Sequence, residues 1–261
     1  MSEGKLSGKI ALITGASRGI GCAIARTFAD EGALVALAAR STDDLDRLAA
    51  ALREKGCRAE PFPCDVTDAQ QVEQLPGLVK DRLGPIHILV NNAGVAGSHK
   101  IVGHPDDLWQ LMLDVNLTSV YRVTKAVIPG MIERKYGRII NIASVASKVG
   151  MRYMAAYTAS KHGLLGFTRV LATEMTPYNI TANAICPGYV DTPMSDFAVA
   201  VMTSRTGKSE QEARKILEDT NPQRRLITPE EVASLAVMLA SDEARGINGQ
   251  AISIDGGAMM A

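Results

Sequence analysis

Lys9-Ile-Ala-Leu-Ile-Thr14, running directly into Gly15-Ala-Ser-Arg-Gly19-Ile-Gly21, decides the fold. The first six residues form a short apolar run of the kind that makes a strand buried on both faces. From Cys22 to Glu31 the apolar residues recur at helical spacing, in phase with Ile20, Ile24 and Phe28, and Gly32 closes the helix. Strand, glycine-rich turn and helix in that order form a phosphate cradle. Glycines let the backbone approach a pyrophosphate, and the helix N-terminus offers free N–H groups with a partial positive charge. The spacing is G-x-x-x-G-x-G, so a search for G-x-G-x-x-G would pass over it.

The alternation continues outward from this unit. Leu34 to Ala38 reads as a second strand, and Asp43 to Lys55 as an amphipathic helix with Leu45, Leu48 and Leu52 on one face, closed by Gly56. Ala59 to Cys64 reads as a strand demoted to an edge by Pro61 and Pro63. A helix over 68–83 follows, interrupted by Pro76. Ile86 to Val90 is a fourth strand, delivering Asn91-Asn92-Ala93-Gly94 at its end. One long helical pattern covers 106–132, with Asn116 inside it and Pro129 ending or bending it. Arg138 to Ile142 is a fifth strand leading to Ala143-Ser144, and Ile180 to Cys186 a sixth ending at Pro187-Gly188. The segment 191–225 is long, polar and without a strand, which at the ligand end of a sheet suggests a substrate lid. A helix over 229–240 with Thr228 as N-cap and a last strand over 251–255 complete the chain. Strands alternating with helices imply an α/β fold, a parallel sheet with helices on both faces. With no linker or fixed-period repeat, residues 1–261 are expected to form a single domain. Ligands should sit beyond the C-terminal strand ends, where the glycine turn, the Asn91 cluster, Ser144 and Pro187-Gly188 converge.

Lys+Arg and Asp+Glu balance at 28 each, so no global field draws in nucleic acid or an acidic membrane, and neither is an expected partner. The four cysteines, Cys22, Cys57, Cys64 and Cys186, lack metal-ligand spacing and read as buried thiols of a reducing compartment. The four histidines form no ligand pair on an expected element, so no metal site is expected. No apolar run reaches the roughly 18 residues that span a bilayer, and the polar start lacks an apolar signal core, so the expected location is the cytoplasm.

Tyr157-Thr-Ala-Ser-Lys161 carries the chemistry. A phenol and an amine four residues apart share one face of a helix, and the apolar residues from Leu164 to Leu171 support a helix here. Free tyrosine and lysine have pKa values of about 10 and 10.4. In a cleft, the ammonium is expected to favour the phenolate and bring the tyrosine toward neutral pH. The bland reading of such a pair is a solvated helix face.

Taken together, Thr14-Gly-Ala-Ser-Arg-Gly-Ile-Gly21, Asp65, Asn91-Asn-Ala-Gly94, Asn116, Ser144, Tyr157-x-x-x-Lys161 and Pro187-Gly188 resemble the classical short-chain dehydrogenase/reductase family, over about 9–257. The resemblance implies a single-domain Rossmann fold with a seven-stranded parallel sheet, hydride transfer with a nicotinamide cofactor, and commonly a homotetramer. It implies that Tyr157 gives or takes the proton at the reacting oxygen. Lys161 would depress the tyrosine pKa and bind the nicotinamide ribose, Ser144 would hydrogen-bond the reacting oxygen, and Asn116 would hold a water that links Lys161 to solvent. It implies a cofactor-binding set of Gly15, Ser17, Arg18, Gly19, Ile20, Arg40, Ser41, Asp65, Val66, Asn92, Ala93, Gly94, Tyr157, Lys161, Pro187, Gly188, Val190 and Thr192. Within that set Asp65 would bind the adenine amino group and Thr192 the nicotinamide carboxamide, while Asn91 steadies the central strand. Asp65 reads equally as a cap or turn residue.

The end of the second strand, Ala38-Ala39-Arg40, addresses the cofactor. A carboxylate there would bind the ribose 2′-hydroxyl of NAD. Ala39 stands in its place, and Arg40, Arg18 and Ser41 offer donors to a 2′-phosphate. NADP(H) is therefore expected ahead of NAD(H), with a solvent-exposed loop as the alternative reading of Arg40. Ile180-Thr-Ala-Asn-Ala-Ile-Cys-Pro-Gly188 and Asp191-Thr-Pro-Met194 look most like ketoreductases of 3-oxoacyl thioesters or polyketides, and like 3-hydroxybutyrate dehydrogenases. The expected partner is a small carbonyl or alcohol substrate, an apolar or cyclic ketone or an acyl-CoA or carrier-protein thioester. Arg205, Lys208, Arg214 and Lys215 could meet its phosphate or be a solvated face. An NAD-dependent 3-hydroxybutyrate or secondary-alcohol dehydrogenase is the alternative activity, and a non-catalytic nucleotide-binding or sensing protein the alternative of another class.

Overall fold

A computed structural model describes residues 4–259. The glycine turn joins β1 (Ile10–Thr14) to α1 (Gly19–Asp30), as the opening stretch predicts. Then come β2 (Leu34–Ala39), α2 (Thr42–Glu54), β3 (Ala59–Pro63), α3 (Ala69–Arg82) and β4 (Ile88–Asn91). The helical pattern over 106–132 resolves into α4 (Asp106–Leu113), a π-helical turn (Asp114–Thr118) and α5 (Ser119–Arg134), and Pro129 lies inside α5 rather than ending it. After β5 (Gly137–Ile142) comes α6 (Ala155–Met175), the helix of Tyr157, and then β6 (Ile180–Pro187). The polar segment is helical, α7 (Pro193–Thr206) and α8 (Glu210–Asp219), before α9 (Pro229–Ala240) and β7 (Ala251–Ile254).

The seven strands form one sheet in the order β3-β2-β1-β4-β5-β6-β7, and every pairing is parallel. β3 takes the edge that its prolines require, with Pro61 opposite Leu37 and Pro63 opposite Ala39. Strand side chains alternate between faces, and the core divides accordingly. Ala11, Ile13, Val35, Leu37, Val90 and Ile140 meet α1, α2 and α9 on one face. Leu12, Ala36, Leu89, Ile139 and Ala182 meet α3, α5 and α6 on the other. The order reverses between β1 and β4, which opens the crevice of a doubly wound sheet beyond their C-terminal ends. The glycine turn leaves one of these strands and Asn92-Ala93-Gly94 the other.

The segment 191–225 leaves and rejoins the fold at one point. Val190 bridges Ile227, Asp191 N–H donates to Ile227 O at 2.8 Å, and Ile227 N–H donates to Tyr189 O at 2.9 Å. Val199 of α7 and Ala213 and Leu217 of α8 make a small core with Leu226, the residue just after the segment. At the far end of α7, the Arg205 guanidinium donates to Ser98 Oγ and Ser98 O at 3.3 and 3.2 Å, tying the segment to the loop beyond β4. No helix among the described residues is long and apolar enough to cross a membrane.

Candidate active site

The glycine turn is shaped by close approach. A Cβ on Gly21 would lie 2.3 Å from Gly15 O and 2.4 Å from Asn92 Nδ2, and one on Gly15 2.8 Å from Ala93 Cα. Gly15 and Gly19 also have φ of 64° and 55°, the left-handed region that glycine enters without a steric penalty. Asn92 locks the turn from β4, donating through Nδ2 to Thr14 O and Gly15 O at 3.0 and 3.1 Å. At the N-terminus of α1, Arg18 makes no side-chain cap, and its side chain is exposed. The first amides of the helix therefore keep no side-chain acceptor from the cap residue. This is a site that fits a dinucleotide pyrophosphate. Thr192, N-cap of α7, stands over it, with Cγ2 3.3 Å from where a Gly19 Cβ would be. Gly188 lies beside Asp255 and donates to Ile254 O, and Val190 is buried behind.

The end of the crevice beside β2 is open. Ala39 is buried at the end of β2, while Arg40, Ser41 and Arg18 are exposed. Ser41 Oγ donates to Asp44 Oδ2 at 2.7 Å, so its proton is already used inside α2. Asp65 Oδ1 accepts from Thr67 N–H and Oγ1 at 2.9 and 2.7 Å, bonds that hold the turn after β3. Those bonds, with Arg40 adding, hold its carboxyl below the usual range, so Arg40 and Asp65 share one rim. Val66 is buried next to it.

The other end is closed and polar. β5 delivers Ser144 and α6 presents Tyr157 and Lys161 on one face, all three nearly buried. Ser144 Oγ accepts from Ala146 N–H at 3.1 Å and lies close enough to the Tyr157 hydroxyl to draw the phenol's pKa down. Lys161 Nζ donates to Ile142 O at 2.9 Å and lies 5.8 Å from the Tyr157 ring centroid. Burial pulls the Lys161 amine down to about 8, with Cys186 acting the other way. The phenol corrects the expectation from sequence. Burial pushes the Tyr157 pKa up, the nearby Ser144 hydroxyl pulls it down, and Tyr189 pushes it up. The ammonium sits beyond the ring and spends a hydrogen bond on Ile142 O, so desolvation decides the direction. Tyr157 is a neutral phenol at pH 7, the form that can donate a proton.

Asn116 is fully buried in the π-helical turn. Such turns widen a helix locally and often mark functional positions. This one aims the side chain at the loop after β4. Asn116 Oδ1 accepts from Val95 N–H at 2.9 Å, and Nδ2 donates to Val95 O at 3.0 Å and Ser160 Oγ at 3.2 Å. Ser160 Oγ donates in turn to Tyr157 O at 2.7 Å. Asn116 Oδ1 and Lys161 Nζ flank Gly94, 3.2 and 3.8 Å from the position of a Cβ there. Ser160 lies inside the quoted Tyr157–Lys161 stretch, but nothing in the spacing distinguishes it. Asn91 donates to Asn141 Oδ1 and Thr124 Oγ1, joining β4, β5 and α5. The lid cations resolve unevenly. Arg214 pairs with Asp191, Asp196 and Glu218, and Lys215 with Asp219, as a solvated face would, while Arg205 reaches Ser98. His162 is exposed, and the described residues hold no cluster of three or more His, Cys, Asp or Glu able to bind a metal.

Lys161 gives a stability prediction. An unfolded lysine keeps its proton up to about 10.4, so between pH 8 and 10 the unfolded chain binds more protons than the folded one. Stability from this group therefore rises with pH across that window and is lower at pH 7. Lys161→Met should raise the melting temperature at pH 7 by a few degrees, about 2 to 4 °C per kcal/mol gained. That advantage should shrink toward pH 10. A lower melting temperature for the variant at pH 7 would contradict a desolvated amine.

The chain as a whole resembles known proteins along nearly its full length. A family model described as enoyl-(acyl carrier protein) reductase matches residues 15–259. A protein of Streptomyces virginiae, assigned provisionally as the ketoacyl reductase of the monensin polyketide synthase, is 44% identical over 95% of this chain and 96% of its own. The 3-oxoacyl-[acyl-carrier-protein] reductase FabG of Thermotoga maritima is 37% identical over 97% and 98%. The crystal structure of an actinorhodin polyketide ketoreductase variant with NADPH superposes with a TM-score of 0.93 at 39% identity, covering 98% of this chain and 99% of that one. With a glycine cradle at the switch point of a seven-stranded parallel sheet, Ser144, Tyr157 and Lys161 at one end of it, and likeness to these reductases along nearly its whole length, the chain belongs to the short-chain dehydrogenase/reductase family.

Proposed function

We propose that the protein is an NADP(H)-dependent ketoreductase that interconverts a ketone and a secondary alcohol, with a 3-oxoacyl thioester or a cyclic ketone as the substrate class. The observation that carries the reading is the convergence of three buried groups, Ser144 beside a neutral Tyr157, with the Lys161 amine on the same helix face as the phenol. The bound nicotinamide would supply the hydride. Ser144 and Tyr157 orient the carbonyl oxygen between them, and Tyr157 donates its proton as negative charge develops there. Lys161, charged at pH 7, holds the nicotinamide ribose and stabilises the phenolate left behind. Asn116 fixes the Val95 backbone and, through Ser160, the first turn of α6, and it holds the water that returns a proton to Lys161. Gly15, Ser17, Gly19 and Ile20 cradle the pyrophosphate. Asn92, Ala93 and Gly94 line the crevice, Asp65 and Val66 flank the adenine, and Pro187, Gly188, Val190 and Thr192 flank the nicotinamide. Arg40 and Arg18 meet the 2′-phosphate. The chain acts as a single domain in the cytoplasm, in keeping with four free cysteines. It assembles as a homotetramer, in keeping with the exposed Tyr121 and Val170 on α5 and α6. The test is NADPH consumption against acetoacetyl thioesters, cyclic ketones and diketones. Consumption with none of them would sink the reading.

The segment 191–225 is the substrate lid of this reading, supported by its pinned base and the Arg205–Ser98 contact across to the β4 loop. Limited proteolysis should cut within it first, and cofactor plus a substrate analogue should slow the cut several-fold as the lid closes. Equal rates with and without ligand would make it a passive surface segment.

A further inference from the structure

Tyr189 follows Gly188 where β6 opens onto the cleft. Its carbonyl is held by Ile227 N–H, and its ring packs on the cluster of Val199 and Leu217 from the 191–225 segment and Leu226 just after it. Backbone and ring are therefore both anchored, which leaves the hydroxyl a defined place. Burial pushes the phenol's pKa up, so at neutral pH it is a donor. Among the described residues none accepts its proton, although buried tyrosine hydroxyls ordinarily find a partner. Nor is the oxygen sealed in: it is absent from the fully enclosed unpaired atoms, such as Asn91 Oδ1 and Thr181 Oγ1. It also lies close enough to Tyr157 to oppose that residue's ionisation. Phenylalanine would pack as well. A phenol that gives up water without an acceptor loses free energy unless a ligand supplies one.

We propose that Tyr189 is a specificity-determining residue whose hydroxyl donates to a second oxygen of the substrate, selecting ketones with an ester or thioester carbonyl near the reacting one. The proposal rests on the ketoreductase reading above and deepens it. A plain cyclic ketone has no such oxygen and leaves the hydroxyl unused. The experiment compares wild type and Tyr189→Phe with NADPH on ethyl acetoacetate and on cyclohexanone, measuring kcat and KM separately. For the keto ester, KM should rise about five- to tenfold, the worth of one hydrogen bond, with kcat within about twofold. For cyclohexanone both constants should stay within about twofold, which also reports that the variant is folded. Equal changes on the two ketones, or none on either, would overturn the proposal. A wild type that reduces neither ketone would instead remove the ketoreductase reading, and this inference with it.

Discussion

Tyr157→Phe is expected to bind NADPH as the wild type does and to lose about two to four orders of magnitude of turnover. The substitution keeps the ring against Met112, Ala146 and Ala156 and deletes only the hydroxyl. Nothing else is placed to take over the proton. Lys161 Nζ gives one of its N–H donors to Ile142 O and lies 5.8 Å from the Tyr157 ring centroid, and Ser144 Oγ, with the far higher pKa of an alcohol, can donate a hydrogen bond but does not ionise near neutral pH. Because burial pushes the Tyr157 phenol up, reduction should persist to alkaline pH, and alcohol oxidation should rise as the phenol ionises. Fluorescence titration of NADPH and single-turnover rates separate binding from chemistry. A variant keeping more than a tenth of the activity would remove Tyr157 from its role.

The second large effect concerns the cofactor. Wild type should prefer NADPH over NADH by at least about tenfold in kcat/KM, since charge-assisted hydrogen bonds are worth about 1.5 to 3 kcal/mol each. Ala39 presents no carboxylate where β2 ends, and Arg40 and Arg18 are free to turn toward a phosphate at the rim. Arg40→Ala should weaken NADPH about tenfold and leave NADH within about twofold. Ala39→Asp should invert the preference, because a carboxylate repels the 2′-phosphate and accepts from the 2′-hydroxyl. The ratio of the two cofactors is read on one protein sample, so a loss of stability from the new charge cancels. A wild type that prefers NADH would show this strand end to be misread.

Much of the architecture was legible because its signals are local. The apolar run at 9–14, the three glycines after it and the two prolines of β3 each act within a few residues, and each names its element. The π-helical turn was not legible: the hydrogen-bond register shifts over Asp114–Thr118 without breaking the apolar pattern on either side. The helices in 191–225 hid behind charge, although Ser209 and Glu212, three apart, form a capping box that marks the start of α8 in the sequence itself. The Asn116 clamp on Val95 joins residues 21 apart, and the Arg205–Ser98 contact joins residues 107 apart. No spacing rule reaches either. The direction of the Tyr157 pKa was missed for a related reason. The sequence puts an amine four residues away, but only the fold buries the phenol and turns the amine toward Ile142 O.

The central claim is that this site delivers a hydride and a proton across a ketone. Its most direct test is a product balance with acetoacetyl and crotonyl thioesters offered side by side with NADPH. The account predicts one 3-hydroxybutyryl product formed per NADPH consumed, with the crotonyl double bond untouched. Reduction of the crotonyl thioester with the acetoacetyl one left intact would contradict it.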